Sequence, residues 1–567
     1  MSEQYQRGAA ARAIGAPGWS AENLVAALLL RDSSLPVQLA LAGSLVLAAA
    51  WAVFSPPVVF SSEMTWDLLF NLAGAWHVRF GHVPNVDFHE PVGPLNFWLT
   101  ALGFDLVGTR PQALLVGIAI VALFIFAAAS FAAWRRLPLA PAAMFVVFAC
   151  LMVLQPANVG DSPNAYSFAM TYNRYGWSGV SLIALIVLLP PRKGRWADVA
   201  EMAIVATILV ALFLMKVTYF VVGIATIAAA LVLSSHVRAS WRGWSLVALL
   251  GLATALAPFH RPYIADLIDA ARNGILRADT AFFFNDFAAN AAQYAPYAAA
   301  FAIAAWLWWR GSAPLALPAA ALFLPAAALG LLSQNSQAHG LPLALVIAFL
   351  LYDALRAAPR QAGRAVMLAA LLAFPLAVIV SSATSAVGYY NRTRAGYMLK
   401  VDATNLGGLA VPREPDGVIE SFGGNHGSYR LLNRARATRP RYELSPFEYV
   451  QTLQEAAALL REHGRAQGRI ALLDQVNPLP FMLGLEPPRG GNLWSGVGAP
   501  ALPAEAWLAE ADHVLIPKFS TAIAWTERAQ GLYGGYLDQH FPYRVEGRSW
   551  FVLSRRAPAP AISGTPR

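Results

Sequence analysis

Apolar residues fall in long runs at 36–58, 112–134, 137–155, 176–190, 198–215, 217–233, 245–259, 294–309, 314–333, 341–355 and 365–384. A helix crossing the hydrocarbon core needs roughly 20 consecutive apolar residues. The pattern therefore predicts an α-helical polytopic membrane protein with about eleven transmembrane helices. Beyond Ser385 the alternation changes to that of a globular chain: a helical period from Pro446 to His463 and strand-like runs at 469–474, 513–517 and 549–554. These predict an α/β domain over 385–567 after a membrane domain over 36–384.

The basic residues orient the bundle. Arg135-Arg136, Arg192-Lys193 with Arg195, Arg238 with Arg242, Arg310, and Arg356 with Arg360 and Arg364 all fall on one face if each run crosses once. Lysine and arginine collect on the cytoplasmic side, so the N-terminus is expected inside and the C-terminal domain outside. If Pro94 to Val107 crossed as well, every later cluster would flip outward. That aromatic, amphipathic stretch is better read as a helix lying on the outer membrane surface.

Composition agrees with this picture. Of 567 residues 57% are hydrophobic and only 13% charged, too few charges for the surface of a soluble protein of this length. The net charge of +9 comes from arginines dispersed in short loops, which is the topological bias and no groove for nucleic acid. Cys150 lies inside an apolar run and is expected to be a packing residue. Residues 1–35 read as an uncleaved cytoplasmic lead-in, because the first long apolar run exceeds the core of a signal peptide.

The chemistry concentrates in one place. The first external loop, 61–111, carries Asp67, Asp87, His89 and Glu90 directly after the first span. Charged side chains are costly beside hydrocarbon, so such a cluster at the surface points to a reaction rather than to packing. The local alternatives are structural: Asp67 as a helix cap and Asp87 as a turn residue.

The sequence of this loop resembles a known family. Asp67, then Gly81-His-Val-Pro84, Asp87-Phe88, Gly93-Pro94-Leu95 and a Trp/Leu-rich helix ending at Gly108 are similar to the first external loop of GT-C fold glycosyltransferases, the family 39 and protein mannosyltransferase relatives. The match covers about 45 residues and is looser elsewhere. The resemblance implies juxtamembrane helices in this loop, a polyprenyl-phosphate-linked sugar donor, and a saccharide, lipid or protein acceptor. It implies Asp67 as the base that deprotonates the acceptor, with Asp87, beside His89 and Glu90, in a second acidic region that positions acceptor or a divalent cation. Two carboxylates and a histidine could ligate such an ion. The lysine of the Glu-Lys-Pro-Pro version found in some relatives is missing from His89-Glu90-Pro91.

Further candidates follow from the topology. Lys216, one of few lysines, falls between two runs at the outer surface, where it either pairs with a lipid phosphate or anchors a helix end. Arg174, His260 and Arg261 adjoin the second and third external loops. Tyr172, Tyr175 and Trp177 beside Arg174 fit an interfacial belt or sugar stacking. Gln337 and His339 occupy the place where relatives carry an Arg-Tyr pair before a Leu-Pro step. Gly423-Gly-Asn-His-Gly427 and Gly490-Gly491 read as turns. The residues thus predict a membrane glycosyltransferase; a polymerase or ligase using a diphosphate-linked donor, and a transporter or flippase of lipid-linked saccharide, are the rivals. Transporters gather polar groups near the midplane in broken helices, whereas these gather outside.

Overall fold

The computed structural model describes residues 34–159, 161–193, 197–273, 291–332, 342–356, 362–395, 398–401, 404–413, 444–496, 499–521 and 523–557. Each of the eleven apolar runs contains a helix. In chain order these are α1 (Leu35–Phe54), α4 (Ala113–Arg136), α5 (Leu139–Leu154), α6 (Thr171–Leu188), α7 (Asp198–Met215), α8 (Val217–Leu233), α10 (Trp241–Leu256), α12 (Ala291–Trp309), α13 (Ala316–Leu332), α14 (Ala344–Arg356) and α15 (Ala362–Arg394). The last continues as one helix past residue 384 to Arg394. Among the described residues α1, α4 and α7 suffice by length and composition to cross a membrane, while α10 and the following segment Pro258–Arg272 pass that test only together and are bent by 54°. Others are short: the 16 residues of α5 reach about 24 Å at 1.5 Å per residue, against a hydrocarbon core of about 30 Å.

The connections between the apolar helices carry helices of their own. The first loop folds into α2 (Thr65–Arg79) and α3 (Leu95–Val107). At 13 residues α3 is far too short to cross, and it packs between α2 and α4. A short α9 (Ser235–Ala239) joins α8 to α10, and the connection after α10 begins with the amphipathic α11 (Arg261–Arg272). The basic pair Arg135-Arg136 is buried at the end of α4, where both side chains bridge Glu201 of α7; Arg136 also donates to Leu189 O at 2.9 Å. These arginines therefore lock helix ends together.

Two sheets follow. β1 (Val59–Phe60), just after α1, pairs in parallel with β3 (Leu409–Pro412), which pairs antiparallel with β2 (Met398–Lys400). The chain after the bundle is thereby stitched back to the end of the first helix. The second sheet has the order β4 (Ile470–Leu472), β5 (His513–Pro517), β7 (Trp550–Ser554), β6 (Tyr543–Glu546), with β4 and β5 parallel and the rest antiparallel. Successive β5 side chains face opposite sides: Leu515 joins the core under α16 (Pro446–Glu462), while Val514 and Ile516 join that under α19 (Ile523–His540). A capping box of Ser445 and Glu448 starts α16. The short α17 (Leu479–Leu483) and α18 (Ala504–Leu508) complete the domain.

Candidate active site

Asp67 lies in the first turn of α2, which begins abruptly from Met64 in the left-handed region at φ 47°. Helix α6 begins the same way, Met170-Thr-Tyr-Asn matching Met64-Thr-Trp-Asp, with Met170 also at φ 47°. All four non-glycine residues with positive φ among the described residues, Met64, Asn85, Phe168 and Met170, lie in the connections 61–111 and 156–175 or at the helix starts they feed. Such backbone costs of order 1–3 kcal/mol and collects at functional sites. A buried polar chain joins the two helix starts: Thr171 donates to Asn96 on α3 at 3.1 Å, Asn96 donates to Asn71, and Asn71 donates to the Asp67 carbonyl at 3.2 Å.

The Asp67 carboxylate is left without a partner. The residue is 8% exposed, and among the described residues nothing donates a hydrogen bond to its side chain. Desolvation by burial lifts its pKa from the ordinary 3.8 to about 7, against the pull of the α2 N-terminus. Nothing spends its lone pairs, so they are free for a reacting proton.

The second acidic group is Glu90. It is 1% exposed; Oε1 accepts from Val92 N at 2.9 Å, while Oε2 has no partner among the described residues. Burial holds this carboxyl well above its usual range, with Asp266 and Asp67 adding to the effect and the Val92 N–H opposing it. Burial thus raises both carboxyls, Glu90 well above its ordinary value and Asp67 to about 7, and groups so perturbed collect in enzyme sites.

Asp266 of α11 clamps this loop. Its Oδ1 is 2.7 Å from His89 Nδ1, and its Oδ2 accepts from Asn85 Nδ2 at 2.8 Å and from Glu90 N at 2.9 Å. Sequence reasoning did not single out Asp266. Its signal was a carboxylate on the buried face of the amphipathic 261–272 segment, beside the already suspected His260 and Arg261.

Lys216 completes the cluster. It is the single extended residue between α7 and α8, with φ −158°. Its ammonium donates to Asn173 Oδ1 at 3.0 Å and lies 5.1 Å from the Tyr172 ring, whose phenol is in the field of both Asp67 and Glu90. Burial lowers its pKa from 10.5 to about 8, so it is largely charged at pH 7. Gly93 brings the acidic loop onto this turn: its N–H donates to Met215 O at 2.9 Å, and a Cβ there would sit 2.1 Å from Leu214 O. Only glycine permits that approach.

The other predicted residues are placed differently. Asp87 accepts from Val83 N at 2.7 Å and faces Arg489 at 3.8 Å, which is the turn role, and no contact among the described residues joins it to Asp67. Arg174 is fully buried and donates to Ala157 O at 2.9 Å; its Nε and Nη2 have no partner among the described residues. His260 packs against Phe213 and Phe259 at 5.0 and 4.1 Å, and Arg261 is exposed at the start of α11. Gln337 and His339 lie outside the described residues, as does Gly423–Gly427. Among the described residues no three His, Cys, Asp or Glu side chains are grouped to hold a metal. Asp87 and His89 make separate contacts, Asp87 with Val83 N and Arg489 and His89 with Asp266.

The C-terminal domain roofs the first loop. His89 N donates to Gly491 O at 2.9 Å, Leu493 N to His89 O at 3.0 Å, and Gly490 N to Asp87 O at 2.6 Å. Trp76 of α2 donates to Leu485 O at 2.8 Å, and Phe70 meets Trp494 edge-on at 5.7 Å. Gly490, at φ 81°, passes so close to α18 that a Cβ would lie 1.9 Å from Ala506 O.

No family model and no curated protein matches the chain. Among solved structures it is similar to ArnT from Cupriavidus metallidurans bound to undecaprenyl phosphate, at 14% identity and TM-score 0.42, over 93% of this chain and 99% of that one. The apo state of the same protein gives 14% identity and TM-score 0.42, over 92% and 98%. A TM-score of 0.42 is a likeness in outline only, and the chemistry of the site rests on its own residues.

Proposed function

We propose that the chain is a membrane glycosyltransferase that moves a sugar from a polyprenyl-phosphate donor to an acceptor at the outer face of the inner membrane, with Asp67 as general base. The observation that carries this reading is the buried, unpartnered Asp67 carboxylate with a pKa of about 7, in the loop whose residues resemble the GT-C first loop.

Asp67 takes the proton of the acceptor hydroxyl or amine, whose freed pair attacks the anomeric carbon. The bond from that carbon to the phosphate oxygen breaks, its electrons leave with the polyprenyl phosphate, and the sugar configuration inverts. A phosphate ester departs without a protonating acid, so one carboxylate base suffices. The Lys216 ammonium, at the outer end of α7, stabilises the departing phosphate as a point charge. Glu90, whose protonated form burial favours, offers its unpartnered Oε2 as a hydrogen-bonding group to the bound acceptor. Asp266 is a positioning residue, holding Asn85, His89 and the Glu90 backbone.

The experiment is product analysis. Purified protein in nanodiscs, given a polyprenyl-phosphate sugar and candidate acceptors, is expected to release polyprenyl phosphate and form a glycoside of inverted configuration. Movement of intact donor across a vesicle membrane without its consumption would replace the reading with transport.

A further inference from the structure

Away from Asp67, at the junction of the C-terminal domain with α2, a cavity of ≈ 20 Å³ is lined by Asp474, Asn477, Asn492 and Trp507 of the domain and by His77 and Phe88 of the first loop. It lies beyond the carboxyl ends of the parallel pair β4 and β5, the edge where open α/β sheets receive ligands. Three of its residues each carry a buried oxygen with no hydrogen-bond partner among the described residues: Asp474 Oδ2, Asn477 Oδ1 and Asn492 Oδ1. Asp474 is 2% and Asn492 8% exposed.

The identity of these atoms is fixed by their other halves. Asn477 Nδ2 donates to Ile470 O at 2.7 Å and Asn492 Nδ2 to Pro500 O at 3.0 Å, so neither amide can be flipped to present a donor. Asp474 Oδ1 accepts from Ser520 Oγ at 2.7 Å, from Thr521 N at 3.2 Å and from Thr521 Oγ1 at 3.1 Å, which leaves Oδ2 free. An orphaned buried acceptor costs about 1–3 kcal/mol, and three on one cavity call for an occupant. A water needs roughly 10–15 Å³, so the space takes about one, and one water has only two protons to give to three oxygens. A cation has no such limit. Carboxylate and amide oxygens are the ligands that hard cations select.

We propose that this cavity binds a single hard, oxygen-seeking cation, a calcium or sodium ion, through Asp474, Asn477 and Asn492. All three ligands belong to the C-terminal domain, so occupancy orders the edge of that domain that faces His77 and Phe88. His77 next to it stays uncharged, its pKa driven down to about 3 by burial and by the His82 ring, so it adds no opposing charge. This site is separate from the transfer chemistry and does not depend on that reading.

The test uses the full-length protein in nanodiscs, stripped with chelator and titrated with terbium, whose emission is excited through nearby tryptophan. Saturable emission at one ion per chain is expected, at least halved in Trp507→Phe and displaced by calcium or, at higher concentration, by sodium; the competing ion identifies the natural occupant. Asp474→Asn should weaken terbium binding at least tenfold, and Asn492→Ala serves where Asp474→Asn does not fold. The cation should raise the Tm of the wild type and leave those variants unchanged. Absence of saturable emission, emission unaffected by Trp507→Phe, or wild-type affinity in Asp474→Asn and Asn492→Ala would overturn the site and leave an ordered water there.

Discussion

Replacing Asp67 by Asn separates function from stability with opposite signs. The amide keeps the size of the carboxyl and removes its basicity. General bases contribute typically 10²–10⁴-fold, so transfer should fall at least about 100-fold, or roughly 2.7 kcal/mol of barrier. Stability should move the other way. Asp67 is raised from 3.8 to about 7, so the folded state binds its proton more tightly than the unfolded chain does. Stability linked to this group is therefore fully present below pH 3.8 and is lost as pH rises to about 7, remaining lost above. The interval corresponds to an upper bound of about 4 kcal/mol, less whatever relaxation supplies. Above pH 7 the Asn variant should accordingly unfold at a temperature equal to or higher than that of wild type. Transfer and thermal unfolding measured on the same nanodisc preparation read both effects. Activity within a few-fold of wild type refutes the base assignment, and a large drop in Tm at pH 8 refutes the unpartnered, desolvated carboxylate.

Other outcomes follow from the same site. The pH profile of kcat/KM should rise through about 7 as Asp67 ionises and fall through about 8 as Lys216 loses its proton; a falling limb that persists in Lys216→Gln would remove Lys216 from it. Lys216→Gln should weaken donor binding and Lys216→Arg partly restore it, whereas a lysine that only anchors α8 leaves donor affinity unchanged in both. Glu90→Gln should keep more activity than Glu90→Ala, which loses about tenfold, because burial favours the uncharged carboxyl that the amide resembles; equal loss in both would mean that Glu90 acts as an anion. Cysteines at the exposed Val86 and Leu106, in a Cys150→Ala background, should both react with an impermeant thiol reagent from the periplasmic side, and reaction at 106 only after permeabilisation would mean that α3 crosses.

Local pattern carried much of the helical fold and little of its assembly. The apolar runs coincide with helices because a stretch such as 113–136 has no other low-energy state in hydrocarbon. Likewise the Ser445–Glu448 box and the β-branched run at 513–517 announce their elements within a few residues. The pairing of Val59 with Leu409 is different, because no local preference encodes a partner 350 positions away. Candidate chemistry divides similarly. Asp67 and Lys216 stand out as charges beside apolar runs, but Asp87 reads the same way and is spent on its own turn and on Arg489. Asp266 becomes visible only when α11 folds against the Asn85–Glu90 loop. Gly490-Gly491 reads as a turn in sequence, while its contacts with Asp87 and His89 are what seat the C-terminal domain.

The most direct measurement is release of polyprenyl phosphate from a panel of polyprenyl-phosphate sugars by purified wild type and Asp67→Asn at pH 7.5, with membrane lipids and glycans as acceptors. The account predicts acceptor-dependent release by wild type for at least one donor and at least 100-fold slower release by the variant. No release with any donor, or release at equal rates by the two proteins, would contradict it.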